Sequence, residues 1–440
     1  VLDEVARLVN LDLVSLERAR EEIRRRPSFV PVTIADRLSW EELSAVAVNA
    51  PALPGVNPEV GLSRVYPLGA DFAHVVGYVG PVSDWYLEQT GDTDPVLQIP
   101  DFQVGRYNVE DKAEGLLRGR AGTSRVEVNA SGRIMRELDR DPATPGSDVQ
   151  LTVDAGLQNY VEARMHGESA GAVIMDCTNG DVLAVASAPT FDPNLFVRGI
   201  SSKDYGELTS NKYRPLASKT VQGLYPPGST FKMITAMAAL EAGLIGPDDA
   251  AYCPGHLEVS GRRFHCWKRA GHGWVDLQNS LKRSCDVYYY DLAVKVGIEK
   301  ISAMARRVGL GQRHDVPMSA VAEGLAPTMD WKQINHGQAW RVGDTVNTSI
   351  GQGFMLTSPL QLAVMTARLA TGRDVSPRLV KSVDSIAGKS EDIANFILDQ
   401  SPMVPEPFKS PMLDLFQRSI ECFAEMRKAQ RDFFKPKGKI

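Results

Sequence analysis

Polar and apolar positions fall into distinct regimes along this chain of 440 residues. Leu13 to Arg26 has the pattern of an exposed helix, with Glu21/Arg25 and Glu22/Arg26 four apart and Pro27 as the stop. The Arg24-Arg25-Arg26 run reads as a solvated face. From Phe29 to Thr144 the text turns β-like and is broken by Pro and Gly, as in Arg64-Val65-Tyr66-Pro67 and Ala73-His74-Val75-Val76-Gly77-Tyr78. His74 there reads as a core or surface histidine. A turn-rich linker, Asp141-Pro142-Ala143-Thr144-Pro145-Gly146, marks a boundary, giving domains over 1–145 and 146–440. Beyond it the periods sharpen. Asp148 to Val153 alternates as a strand, and Asp154 predicts the N-cap of a helix running toward Met165. Two apolar runs, Gly171 to Asp176 and Asp181 to Ser187, flank Cys177-Thr178-Asn179-Gly180. Asn-Gly in that place predicts a hairpin, because both residues tolerate positive φ. Ser358, Pro359 and Gly372 frame a later helix as N-cap, first residue and stop. No internal repeat stands out. Hairpins mixed with long helices predict an α+β fold in which helices flank an antiparallel sheet.

One helix carries more than packing. Pro226-Pro227-Gly228 cannot lie in a helix interior, so the apolar run that follows should begin near Ser229 and stop at Gly243. Phe231, Ile234, Met237, Ala238 and Leu240 leave it little polar surface, which predicts a central, buried helix. Ser229 and Lys232 sit three apart on one face, so the amine should reach the hydroxyl. A desolvated lysine can act as a general base, and the helix N-terminus favours negative charge developing nearby. The bland alternative is a solvated Ser and Lys at an ordinary helix start. An idle buried lysine is costly, and that weighs against it. No Gly-x-Ser-x-Gly elbow surrounds Ser229, which disfavours Ser-His-Asp chemistry.

About fifty residues later, Ser284-Cys285-Asp286 lies between helix-like Leu277 to Arg283 and apolar Val287-Tyr288-Tyr289-Tyr290. Ser-x-Asp alone is common; after Ser-x-x-Lys it supplies a hydroxyl and a carboxylate to complete a proton network. The pair resembles the first two active-site motifs of penicillin-binding proteins and serine β-lactamases. Pro189-Thr190-Phe191-Asp192-Pro193-Asn194, Tyr225-Pro226-Pro227-Gly228, Gly351-Gln352-Gly353 and Glu127-Val128-Asn129-Ala130-Ser131-Gly132-Arg133 extend the likeness to class B penicillin-binding proteins. Asp286 in the second motif is most similar to the penicillin-binding protein 2 group, the cell-elongation transpeptidases. The resemblance implies a transpeptidase domain preceded by a β-rich, elongated, non-catalytic pedestal. It also implies that Ser229 attacks the penultimate D-Ala carbonyl of a peptidoglycan stem peptide, and that β-lactams acylate the same serine. Lys232 would take its proton, Ser284 would relay protons to and from the leaving and incoming amines, and Asp286 would hold the network in register. The implied partners are a polytopic glycosyltransferase and a rod-shape scaffold, with a membrane anchor and a periplasmic catalytic domain.

The third family motif, Lys-Thr/Ser-Gly, has no match after Gly351-Gln352-Gly353. Lys389-Ser390 runs into Glu391, the chain ends Lys435-Pro436-Lys437-Gly438-Lys439-Ile440, and the family text fades from about Val383. The expectation is a divergent or truncated C-terminal part that lacks one oxyanion donor. An inactive penicillin-binding fragment therefore stands as an alternative beside the transpeptidase, as does a D,D-carboxypeptidase or β-lactamase. Composition adds little: 43% hydrophobic residues allow a substantial core, and a net charge of -5 gives no reason to expect nucleic acid. No uncharged apolar run is long enough to span a bilayer, and the start at Val1 in helix-like text leads us to expect a fragment that has lost an N-terminal segment such as a membrane anchor. Cysteine changes the picture. Cys253, Cys266, His272 and Cys285 make a set of thiolates and imidazole of the kind tetrahedral Zn²⁺ prefers, in a structural role. A disulfide and buried free thiols compete with it, and His256 or His265 are alternative ligands.

Overall fold

The computed structural model describes residues 1–384 except 26–31, 36–37, 57, 59–62, 100–101, 129–133 and 198. The readings at Asn129 to Arg133, at Lys389-Ser390-Glu391 and at the Lys-rich end lie outside the described residues.

The chain separates into two compact units. The first contains Val1–Gly69, Gly77–Ser147 and Asp192–Ser202; the second contains Ala70–Val76, Asp148–Phe191 and the chain from Lys203 onward. The principal crossover, Ser147 to Asp148, falls two residues past the predicted linker end, but Ala70–Val76 and Asp192–Ser202 each belong to the opposite unit. The linker is also tied down. Arg120 and Thr144 exchange two backbone hydrogen bonds, and Ser147 N–H donates to Leu116 O.

The first unit holds more helix than its text suggests. Among the described residues, helices run over Leu2–Leu8, Leu13–Arg25, Trp40–Val48 and Asp84–Thr90, while strands are confined to Val79–Pro81 with Gln103–Gly105 and Thr123–Val128 with Ile134–Asp141. Arg64–Pro67 is not a strand, and Tyr66 instead donates its hydroxyl to buried Glu110, which also pairs with Arg64 at 2.8 Å. On the Leu13–Arg25 helix, Arg20 pairs with Glu17 and Asp3.

In the second unit, the Ala73–Val76 run read as β-like is a helical turn, and His74 is buried edge-on to Phe191 at 5.3 Å. Burial pushes this imidazole down to about 4, as befits a core histidine. The main antiparallel pair is Ala170–Met175 with Val182–Ala188. Its turn works differently from the prediction: Gly180 alone takes positive φ, while the Asn179 side-chain Oδ1 accepts the Asp181 N–H. Asp148–Leu151 pairs with Val380–Asp384, and Val182 N–H donates to Arg378 O, which knits the two ribbons together. Asp154 caps the Ala155–Met165 helix through Leu157 N–H, and Ser358 with Gln361 forms a capping box on Pro359–Thr371. Both helices pack on the Ala170–Ala188 hairpin. The α+β reading therefore stands. A separate core gathers Phe231, Ile234, Ala238, Tyr288, Tyr289, Leu292 and Ile301, where Lys232–Glu241 crosses Asp286–Val296 and Ile298–Arg307.

Under the hairpin, Glu162 is buried and accepts the Ser187 N–H at 3.0 Å. Burial pushes its carboxyl from 4.5 up to about 7, with Asp71 adding and Ser187 opposing. A raised folded-state value means the penalty for ionising Glu162 is absent below about pH 4.5 and complete above about pH 7. Glu162→Gln should therefore gain stability over the parent as pH rises through this window, on the order of 2 kcal/mol at pH 8 and none at pH 4. Paired thermal melts from pH 4 to 8 check this, and a constant offset would contradict it.

Candidate active site

Gly228–Phe231 forms a 3₁₀ turn that runs directly into the helix Lys232–Glu241. The predicted start near Ser229 holds, and the chain leaves the helix at Gly243 with φ +65°. The tight turn separates two side chains that are only three residues apart. Ser229 is exposed, whereas Lys232 is 1% exposed.

Lys232 Nζ has three partners: Asp286 Oδ1 at 2.7 Å, Ser284 Oγ at 2.9 Å and Ser284 O at 2.9 Å. These satisfy all three ammonium hydrogens, and the Tyr289 ring lies 5.7 Å away. Ser284 Oγ then reaches Ser229 Oγ at 3.1 Å. The amine is thus linked to Ser229 through Ser284, rather than directly as the helical spacing suggested. Ser284 occupies φ +49°, a left-handed backbone that turns both its hydroxyl and its carbonyl toward Lys232. Asp286 opens the Asp286–Val296 helix, where a carboxylate is favoured by the helix dipole.

A further glycine contact fixes the 3₁₀ turn. Gly228 N–H donates to Gly351 O at 2.9 Å, and a Cβ on Gly351 would fall 2.3 Å from Gly228 O. This gives the Gly351-Gln352-Gly353 text a physical reason: at Gly351 (φ +70°) the two backbones meet.

Sequence reasoning passed over Trp267. Its backbone N–H donates to Asp286 Oδ2 at 2.9 Å, and its indole N–H donates to Ser284 O and Arg283 O, both at 3.1 Å. Its only sequence signal was its place after Cys266. That cysteine belongs to the second constellation. Donor atoms of Cys253, Cys266, His272 and Cys285 all lie within 4.8 Å of one another, and His272 rather than His256 or His265 is the imidazole present. His272 Nδ1 stands 3.7 Å from Cys253 Sγ and 3.5 Å from Cys266 Sγ. Bonds of tetrahedral Zn²⁺ to sulfur and nitrogen place those ligand atoms about 3.6 Å apart, so the donor set fits the ion. Cys177, Cys253, Cys266 and Cys285 are all free thiols. The Cys266 thiol is held well below its usual range, chiefly by a hydrogen bond from Cys285; that donation and burial push Cys285 up.

Similarity to known proteins accords with this geometry. A family model of the penicillin-binding protein transpeptidase domain matches residues 170–438, and one of the penicillin-binding protein dimerisation domain matches residues 1–151. The peptidoglycan D,D-transpeptidase MrdA of Haemophilus influenzae is 33% identical over 94% of this chain. The chain spans 61% of that relative's length. Among solved structures, Helicobacter pylori PBP2 in complex with MreC aligns with a TM-score of 0.80 at 28% identity, covering 95% of this chain and 74% of that one. Pseudomonas aeruginosa PBP2 in complex with WCK 5153 aligns with a TM-score of 0.68 at 34% identity, covering 83% of this chain and 75% of that one.

Asp286→Ala would leave the buried Lys232 ammonium without its carboxylate. We expect a loss of about 3 kcal/mol, the usual scale for breaking a buried pair from one side. Denaturant unfolding of the two proteins measures it, and a loss below about 1 kcal/mol would place this pair with exposed ones.

Proposed function

The chain belongs to the penicillin-binding protein transpeptidase family, and from that membership we propose that it is a peptidoglycan D,D-transpeptidase of the cell-elongation type. The observation that carries this reading is the hydrogen-bonded chain from exposed Ser229 through Ser284 to buried Lys232 and Asp286. A charged, fully engaged amine accepts no proton, so the reactive form has Lys232 neutral. The two contacts then run in reverse: Ser229 donates to Ser284 Oγ, and Ser284 donates to Lys232 Nζ. As Ser229 Oγ attacks the penultimate D-Ala carbonyl, its proton passes through Ser284 to the amine, restoring the ion pair with Asp286. The developing oxyanion lies toward the Ser229 N–H at the start of the helix, where backbone donors lack intrahelical acceptors. Collapse of the tetrahedral adduct expels D-Ala, protonated by the same relay. The amine of a second stem peptide then enters, gives its proton to the relay and takes the acyl group as a cross-link.

Asp286 has the positioning role, since its two oxygens are divided between Lys232 and the Trp267 N–H. We place this work at the periplasmic face of the inner membrane; among the described residues no helix is long and apolar enough to cross a membrane. The assigned partners are a glycan-polymerising enzyme and, following the Helicobacter relative's complex with MreC, a rod-shape scaffold. The decisive assay is covalent labelling with a fluorescent penicillin. The parent should label and Ser229→Ala should not; a parent that stays unlabelled would favour an inactive fragment.

Beside this site we propose a structural Zn²⁺ held by Cys253, Cys266, His272 and Cys285. The ion would supply cross-linking alone, since four protein ligands leave no open position. In support, the ligands come from loops joined by very short strands, and Cys285 separates Ser284 from Asp286. Metal analysis should find one zinc per chain. Removing it with a chelator should lower the melting temperature by several degrees, because site binding energy is folding energy. A melting temperature that ignores chelation would defeat this assignment.

A further inference from the structure

The chain is net negative, yet residues 262–283 carry six Lys and Arg against a single carboxylate. Arg262, Arg263, Lys268, Arg269, Lys282 and Arg283 are all exposed. The one acid, Asp276, is occupied: it accepts from the Asn279 backbone and side chain as a helix cap. Among the described residues, Lys268, Arg269 and Arg283 have no carboxylate partner. Unpaired like charges gathered in one place repel one another, and an acidic ligand would relieve that repulsion.

Geometry ties this charge to the nucleophile. His256 faces His265 across the Arg262–His265 ribbon, and Gly255 backs so closely onto the Arg269 carbonyl that a Cβ there would lie 2.0 Å away. The ribbon and the 268–271 turn therefore share a surface. Trp267, next to Lys268, donates its indole N–H to Arg283 O and Ser284 O. Arg283 in turn immediately precedes the serine that touches both Ser229 and Lys232. Cations thus flank the relay on two chain segments fixed to each other.

We propose that this cationic strip is the docking surface for the acidic stem peptides of a peptidoglycan strand. The inference rests on the transpeptidase reading and adds to it how a polymeric substrate is held. Stem peptides repeat along a strand with free carboxylates, so neighbouring stems meet several cations while one reaches Ser229. Fields from exposed charges extend about 10 Å at moderate salt, enough to gather a polyvalent strand but not to fix a small β-lactam. An anionic lipid surface shares the charge requirement, but it would give no reason for the cations to be bonded into the catalytic loop.

The test uses the whole chain and a Lys268→Gln, Arg269→Gln, Arg283→Gln variant. Fluorescent penicillin labelling should stay within about twofold of the parent, as expected for exposed substitutions. Affinity for soluble, uncross-linked peptidoglycan strands should fall about tenfold, the combined scale of three exposed ion pairs, and less so at high salt. Amidating the strand carboxylates should reproduce the loss with the parent protein. Unchanged strand affinity overturns the proposal, as does an equal loss on amidated strands. So does a variant that loses only its binding to vesicles of anionic lipid. If the triple variant loses labelling through misfolding, Arg269→Gln and Arg283→Gln singly carry the same comparison. A parent that binds strands through these cations yet never labels would sink the transpeptidase reading and leave the docking surface standing.

Discussion

The constraint that organises this site is the burial of one ammonium. Lys232 is almost wholly removed from solvent, and a charge so placed is tolerated only if every hydrogen finds an acceptor. Ser284 O, Ser284 Oγ and Asp286 Oδ1 provide them, all from a segment more than fifty residues away. Much follows from that requirement. Helix Asp286–Val296 must lie across Lys232–Glu241, which the packing of Tyr289, Ile234 and Ala293 accomplishes. Ser284 must adopt a left-handed backbone to aim two oxygens at one nitrogen. Such strain, of order 1–3 kcal/mol, persists only where the surroundings enforce it.

Those surroundings are the cysteine-bearing loops. Trp267 N–H holds the second oxygen of Asp286, and its indole shares the Ser284 carbonyl with Lys232. The exposed serine and the buried amine therefore occupy opposite ends of a short polar path whose framework is backbone. In the proposed reaction, with Lys232 neutral, only the hydroxyl rotors of Ser229 and Ser284 need to turn for a proton to travel along it. The arrangement joins a solvent-facing hydroxyl to an amine that water does not reach.

Legibility in the sequence followed the range of each interaction. Local signals read true: Asp154, Ser358 and Gly372 as caps, Gly228 before the helix, the hairpin around Asn179-Gly180, and the apolar face from Phe231 to Leu240. Errors came where tertiary context overrides local preference. Ala73–Val76 looks like a strand because Val75 and Val76 are β-branched and apolar, but burial in the second unit makes it a helical turn. Lys232 and Ser229 are close in sequence, yet the amine is drawn to acceptors that only the folded chain supplies. Trp267 was illegible for the same reason: a backbone N–H has no sequence signature, and its partners lie in another segment.

The stability of the loop carrying Trp267 governs how firmly Asp286 and Ser284 are held. It is built from Ala251–Cys253 paired with Gly273–Val275, and His256–Val259 paired with Arg262–His265. Two-stranded ribbons of three or four residues are at best marginal in water. Their buried apolar content is small, chiefly Phe264 and Val275 beside the cysteines. Tyr252 and Trp274 stack edge to face at 5.6 Å but remain largely exposed. Something else must hold these ribbons against the Asp286 helix with enough rigidity to orient a carboxylate. Four ligand atoms drawn from three segments of the loop and from the helix cap meet that need if an ion joins them. The cross-link would span the distance between Cys253 and Cys285 in sequence, and closing a long loop is where such a staple limits the unfolded chain most. The proposed ion would then fix the loop, and the loop in turn would hold Asp286 against the buried ammonium.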